Sequence, residues 1–307
     1  MARIMTGSIF IIAAFLKLFS IDEFEIYIYS FNILSFVATT FVSRLLVAGE
    51  LILGLFLILK RHYNLTRHVT LATLFIFTLF LVYTALFRND DNCHCFGEFV
   101  KLNPLESILK NIFIFGLMLA GKEQATEGDD CTLSHNKRQC PWISSLIIGC
   151  ILLIIFIVSP PDTIYNKIYS SEKEISSTEL YESLDDVVRI NFENDSISFD
   201  STASFKTEGK QMIAIASSGC RYCKLGLKRL AMMIERGEND IEDINIFIWG
   251  SPDGIMDFRD ETMTADYPYW HIMPDRAIDI TFGRFPIFIR LEDRNIVKVS
   301  DFRALTD

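Results

Sequence analysis

Positive charge is scarce in this 307-residue chain, where 29 lysines and arginines face 39 acidic residues for a net charge of −10 at pH 7. That balance argues against nucleic acid as a partner, because phosphate binding needs a basic face. Histidine is scarcer still, at five. Beyond Cys223 only His271 remains as a nitrogen or sulfur ligand, so a tetrahedral zinc site built on Cys220 and Cys223 lacks its second half. No small-x-small cleavage site follows Lys17, which argues for an uncleaved first helix rather than a removable signal peptide behind Arg3. No quinone motif is legible.

What is present falls into two halves. Residues 1–160 balance 12 acidic against 12 basic side chains, whereas residues 161–307 carry 27 against 17. Val69–Phe87 and Trp142–Val158 are apolar runs close to the roughly 20 residues that cross a bilayer. Ile4–Phe19 with Lys17 near its end, Leu45–Leu59 with Glu50 inside and Leu105–Ala120 with Lys110 inside are also read as spans, since otherwise long apolar segments face water. The predicted organisation is a four-helix membrane bundle over 1–121, a cytoplasmic loop and fifth transmembrane helix over 122–160, a linker or stalk over 161–203 and a soluble domain over 204–307.

Five spans fix sidedness by parity. The N-terminus and loops 60–68 and 121–141 share one face, with Arg3, Lys60, Arg61, Arg67, Lys122, Lys137 and Arg138. Loops 20–31 and 88–104 share the other face with everything after Pro160, and their short-loop basic residues are Arg88 and Lys101. The positive-inside rule puts the first face in the cytoplasm, so the soluble domain is expected in a periplasm, outside the inner membrane, where disulfides persist.

Cys220-Arg221-Tyr222-Cys223 directly follows the apolar stretch Met212–Ala216 and directly precedes the helix-like run Lys224–Ile234. A strand that delivers two cysteines to a helix start places the first sulfur among unpaired N–H groups at the positive end of the helix dipole. Cys220 is therefore the expected attacking sulfur and Cys223 the resolving one. The arrangement resembles thioredoxin. That resemblance implies an α/β domain with a strand at 211–216, the CxxC helix at 220–236, a strand at 244–249, a helical or irregular segment at 252–280, and a hairpin of 286–291 with 295–299. It also implies a cis bond before Pro286, facing the cysteines and leaving the preceding backbone free to pair with a substrate strand.

Cys93-His94-Cys95-Phe96-Gly97 lies in the loop after the third span, on the same face as Cys220. Paired cysteines one residue apart close a small, strained ring suited to exchange rather than stapling. Cys93, His94 and Cys95 alternatively suit copper(I) or zinc. Together with Lys17, Asp22, Glu50, Gly54 and a fourth span expected to begin at Asn111, the Cys-Phe-Gly loop resembles the MauE branch of the DoxX-like membrane proteins over about residues 4–121. MauE is the methylamine-utilisation accessory protein, and the resemblance implies a membrane bundle acting in disulfide formation or maturation of exported proteins. The arrangement is also similar to the four-helix vitamin K epoxide reductase architecture, in which a quinone exchanges electrons with the bundle.

Glu50 is a functional candidate by default, because a carboxylate inside a span costs several kcal/mol unless it is paired, protonated or wet. Its candidate partners are Lys17 and Arg44, and its two candidate roles are proton transfer and an interhelical hydrogen bond. Cys131 and Cys140 sit in the cytoplasmic loop as structural thiols or as partners of a cytosolic thioredoxin, and Cys150 reads as a small packing residue within its span. The chain is thus expected to be a membrane-anchored thiol–disulfide oxidoreductase in which Cys220, Cys223, Cys93, Cys95, Pro286 and Glu50 carry the chemistry. A quinone or a cytosolic thioredoxin is the candidate electron partner, and exported thiol proteins are the candidate substrates. A non-enzymatic maturation factor and a metal-handling protein using the Cys-x-Cys loop are the alternatives.

Overall fold

Small residues decide how the first helices meet. The computed structural model describes residues 1–88, 93, 95–98, 100, 102–120, 139–169, 175–193, 196–205, 208–238, 241 and 243–305. The chain divides into two units, Met1–Pro161 and Asp162–Asp307. The first contains α1 (Ala2–Phe19), α2 (Ile21–Tyr29), α3 (Phe36–Leu59), α4 (Tyr63–Phe87), the short extended segment β1 (Cys95–Glu98), α5 (Pro104–Ala120) and α6 (Gln139–Val158). Of these, α1, α3 and α4 are each long and apolar enough to cross a membrane. Gly7 of α1 and Gly54 of α3 lie back to back: a β-carbon on either would come within 2.7 Å of the other's carbonyl oxygen. The two helices approach this closely only because neither position carries a side chain.

Five sequence expectations for this unit need correction. Residues 20–31 are not a simple loop, since α2 occupies most of them and buries Ile21, Phe24, Ile26 and Tyr29. The second span starts at Phe36 rather than Leu45, with Ser35 accepting the Ala38 N–H as its N-cap. Arg44, just ahead of the expected start, is fully buried within α3 because Glu25 of α2 neutralises it and because its guanidinium donates to the carbonyl oxygens of Thr40, Ser159 and Pro160. Helix α4 begins at Tyr63, shortening the 60–68 loop, and α5 runs Pro104–Ala120, close to the span read at 105–120, so that Asn111 lies inside the helix rather than at its start. Cys150 is exposed on α6 instead of packed.

The second unit starts with α7 (Asp162–Tyr169), α8 (Ser177–Ser183), β2 (Val188–Glu193) and β3 (Ser196–Asp200). The stretch expected as a stalk over 161–203 is therefore largely part of the domain. The sequence reads as a helix over 179–188 and a strand over 188–192; the helix instead runs Ser177–Ser183 behind a capping box at Ser176 and Glu179, the strand is β2, and polar composition hid its hairpin partner β3. There follow β4 (Lys210–Ser217), α9 (Arg221–Glu235), β5 (Asp243–Trp249), α10 (Pro252–Glu261), β6 (Tyr269–His271), α11 (Pro274–Thr281), β7 (Ile287–Glu292) and β8 (Asn295–Asp301). The sheet order is β3-β2-β6-β5-β4-β7-β8, with β4, β5 and β6 parallel, β7 antiparallel to β4, and β8 antiparallel to β7.

Strand β4 is central, and Gln211–Ala216 are all buried. A strand covered on both faces needs no polar alternation, which is why its sequence is a continuous apolar run. Leu227 and Leu230 of α9 pack on one face with Phe258 and Phe288, while Leu180 of α8 and Ala277 of α11 cover Ile213, Ile215, Trp270 and Ile289 on the other. The result is a thioredoxin-like domain. Arg229, fully buried on α9, donates to Asp162 Oδ2 and to the Phe302 carbonyl, each at 2.9 Å, and so fixes the first residue of the unit to its helix and to its C-terminal segment.

Candidate functional site

Ser217 ends β4, and two residues later the chain turns into α9 with Cys220 as the N-cap in extended conformation. The Cys223 N–H donates to Cys220 Sγ at 3.3 Å, so one of the helix's unpaired amides is satisfied by sulfur. Cys220 is half-exposed, whereas Cys223 is fully buried in the core. The hydrogen bond from the Cys223 thiol, helped by the backbone N–H groups of Cys223 and Tyr222 and opposed by burial, pulls the Cys220 thiol down to about 7. Cys223 moves strongly the other way, first through burial and then because its proton serves Cys220. Nucleophile and resolving thiol are thereby distinguished by their surroundings.

The Phe285–Pro286 peptide is cis. It leads into β7, and the Cys220 S–H points to the Phe285 carbonyl at 3.9 Å. Gly226, one turn into α9, makes the approach possible: a β-carbon there would stand 3.2 Å from Pro286 Cγ. The Phe285 ring packs edge-on against Trp249 at the end of β5, with centroids 6.3 Å apart. His271 lies on β6, separated from β4 by β5, with its ring edge-on to Phe199, so it does not join the cysteines.

The second pair is built in the membrane unit. Cys93 N–H donates to the Leu102 carbonyl at 2.9 Å, and Cys95 N–H donates to Cys93 Sγ at 3.3 Å. Ser107 Oγ on α5 lies 2.9 Å from the same sulfur. Cys93 is pulled down to about 6, chiefly by the hydrogen bond from the Cys95 thiol, against burial and with help from Ser107 and the Lys110 charge. Cys95 is pushed well up, because its proton makes that bond and because it is buried beside the Cys93 sulfur. Both sulfurs are buried, at 4% and 6% exposure, so solvent reaches this pair less than it reaches Cys220.

Each residue of the Cys-Phe-Gly loop has a physical task. Phe96 receives the Lys110 ammonium over its ring at 4.5 Å. Gly97 adopts φ +64 and presses on the end of α1, where a β-carbon would stand 2.1 Å from Ser20 Oγ and 2.8 Å from the Leu16 carbonyl oxygen. Glu50 finds Lys17, not Arg44, as its partner, at 2.5 Å. A small cavity of about 40 Å³ is bordered by Cys95, Lys17, Glu50, Lys110 and Asn111. It has room for water.

Ser107, Glu25, Gly226 and Trp249 were not singled out from sequence. Ser107 and Trp249 carry no signal short of the fold; Gly226, a lone glycine within a helical run, is the one a close reading flags. Cys131 and His94 lie outside the described residues, as does the side chain of Cys140.

These features define a class: a membrane helical unit followed by a thioredoxin-like domain whose dithiol opens a helix. Residues 1–122 match the family model described as methylamine utilisation protein MauE. The membrane unit is thus MauE-like over the range expected from its Cys-Phe-Gly loop. Along most of its length the chain is also similar to Protein TlpB of Flavobacterium psychrophilum, 27% identical over 303 residues covering 87% of this chain and 80% of the relative.

Proposed function

We propose that this membrane protein is a thiol–disulfide oxidoreductase in which Cys220–Cys223 exchanges disulfides with exported proteins and Cys93–Cys95 is a second station of the same relay. The carrying observation is the asymmetry at α9: a half-exposed, acidified Cys220 capping the helix beside Phe285 and Pro286, with a buried, proton-bearing Cys223 behind it. In reduction, the Cys220 thiolate attacks a substrate sulfur, forming a mixed disulfide and expelling the second substrate sulfur as thiolate, which takes up a proton. Cys223 then loses its proton and attacks Cys220 Sγ, closing the Cys220–Cys223 disulfide and releasing the other substrate thiolate. Run backwards, the same steps make a substrate disulfide. Cys93–Cys95 repeats the pattern, an acidified first sulfur accepting the amide of the second cysteine, which supports exchange between the pairs.

The loop charges support an inner-membrane protein of five spans, adding α5 and α6 to the three long helices, with the thioredoxin-like domain in the periplasm. The test is capture in cells. With Cys223→Ser, Cys220 should accumulate mixed disulfides with exported proteins; with Cys95→Ser added, a fraction should instead link Cys220 to Cys93 within one chain. Capture of exported proteins without the internal link removes the relay and keeps the oxidoreductase. Absence of any capture by Cys220 removes both.

A further inference from the structure

The resolving thiol of the membrane pair borders a cavity that holds a base. Cys95, Lys17, Glu50, Lys110 and Asn111 form the polar rim of that cavity, with Phe77 on its apolar side. Lysine ammonium groups donate only, and an asparagine amide does not exchange protons in this range. Glu50 is therefore the carboxylate available to Cys95 among the described lining residues. Lys17 engages Glu50 Oε1, while Glu50 Oε2 is buried with no hydrogen-bond partner among the described residues. A buried carboxylate oxygen left open is costly, and the water-sized cavity beside it, with polar groups on its rim, can hold a water that donates to it.

We propose that Glu50 is the proton acceptor for Cys95, reached through water in this cavity, and that Lys17 positions it. The inference rests on the exchange reading of Cys93–Cys95. Once Cys93 is in a mixed disulfide, the Cys95 proton passes by way of water to Glu50 Oε2, and the Cys95 thiolate attacks Cys93 Sγ. The Cys93–Cys95 bond forms, the bond from Cys93 to the outside sulfur breaks, and the electron pair leaves on that outside thiolate. In the reverse direction Glu50 returns the proton to Cys95 as its sulfur is displaced. The open oxygen of Glu50 thus has a use that the ion pair with Lys17 alone does not explain.

The test uses the full chain in lipid nanodiscs, with Cys131, Cys140, Cys150, Cys220 and Cys223 replaced by serine, treated with dithiobis(nitrobenzoate). Attack by Cys93 releases one coloured thiolate, and closure by Cys95 releases a second. Glu50→Gln should leave the first release unchanged and slow the second on the order of 100-fold, and Glu50→Asp should restore part of the second rate. The double variant Lys17→Met with Glu50→Gln leaves neither charge unpaired and should show the same slow second release. A second release at the unsubstituted rate in Glu50→Gln, or equal slowing of both releases, overturns the proton transfer while leaving exchange intact. A single equivalent from the unsubstituted pair overturns the exchange reading, and this proposal with it.

Discussion

A β-carbon on Gly226 would stand 2.9 Å from Phe288 Cζ, so α9 rests on β7 with no space between them. Phe288 is fully buried in the core and has nowhere to swing. Alanine at a helix interior gains about 1 kcal/mol of propensity over glycine. Overpacking a filled core costs about 1–3 kcal/mol and here wins. Gly226→Ala should therefore destabilise the full chain to denaturant, and should slow substrate capture by Cys220 because the helix lifts from Pro286. Unchanged unfolding and capture would show that the contact relaxes freely.

Alkylation of Cys220 should rise as pH rises through about 7 and then level off, since the thiolate is the reacting form. Cys223 should stay unmodified across the same range in the folded, reduced protein. An unfolded cysteine titrates near 8.5. Between about pH 7 and that value the unfolded chain binds more protons at Cys220 than the folded one, so this group's contribution to stability grows with pH there and is lost as pH falls through the folded value. Rate profiles by mass spectrometry check the assignment, and equal reactivity of the two thiols would sink it.

Much of this was legible in the sequence for a simple reason. Strand β4 is buried on both faces, so its apolar run is unbroken, and the two cysteines follow at once. Charge misled where the fold neutralises it. The second span is expected only from Leu45, and Arg44 just before it is buried within α3 by Glu25, 19 residues away on α2, a pairing with no local periodicity. The run 188–192 reads as a strand and is β2, but polar composition hid its partner β3, none of whose residues is fully buried. Strand β6 is only three residues long, too short for any alternation to show.

Arg229→Met should destabilise the thioredoxin-like domain, by less than the roughly 3–5 kcal/mol that a buried charge left with no partner costs. Asp162, at 3% side-chain exposure, keeps Arg303 at 3.4 Å as its weaker cation when Arg229 is removed. The double variant Arg229→Met with Asp162→Asn removes both charges and should recover a large part of that loss. Chemical denaturation of the four-member cycle measures the coupling, and additive losses would mean the pair is not a stability element.

An alkaline phosphatase fused after Asp307 should be active, as expected for a domain outside the cytoplasm. The proposed orientation rests on the basic residues Arg3, Lys60, Arg61, Arg67, Lys122, Lys137 and Arg138. Reversing Lys60, Arg61 and Arg67 to glutamate weakens the bias and should lower the fusion's activity. An inactive phosphatase fusion, with a cytoplasmic reporter active at the same position, would place the cysteines of α9 among reducing thiols and remove the exported substrates.

Gly97 is the residue on which the membrane pair depends for its shelter. Its φ of +64 costs any L side chain about 1–2 kcal/mol. The Leu16 carbonyl oxygen, only 2.8 Å from where an alanine methyl would stand, is helix backbone and cannot rotate away. Gly97→Ala should therefore push β1 off the end of α1 and open the loop that buries Cys93 and Cys95. In the unsubstituted chain a maleimide should label Cys220 first and the loop pair slowly, in keeping with their burial. In Gly97→Ala the loop pair should label about ten times faster, the factor that corresponds to roughly 1.4 kcal/mol of lost closure, while Cys220 keeps its rate. Loop labelling that does not change would mean the shelter comes from Phe96 and α5 rather than from the glycine's fit against α1.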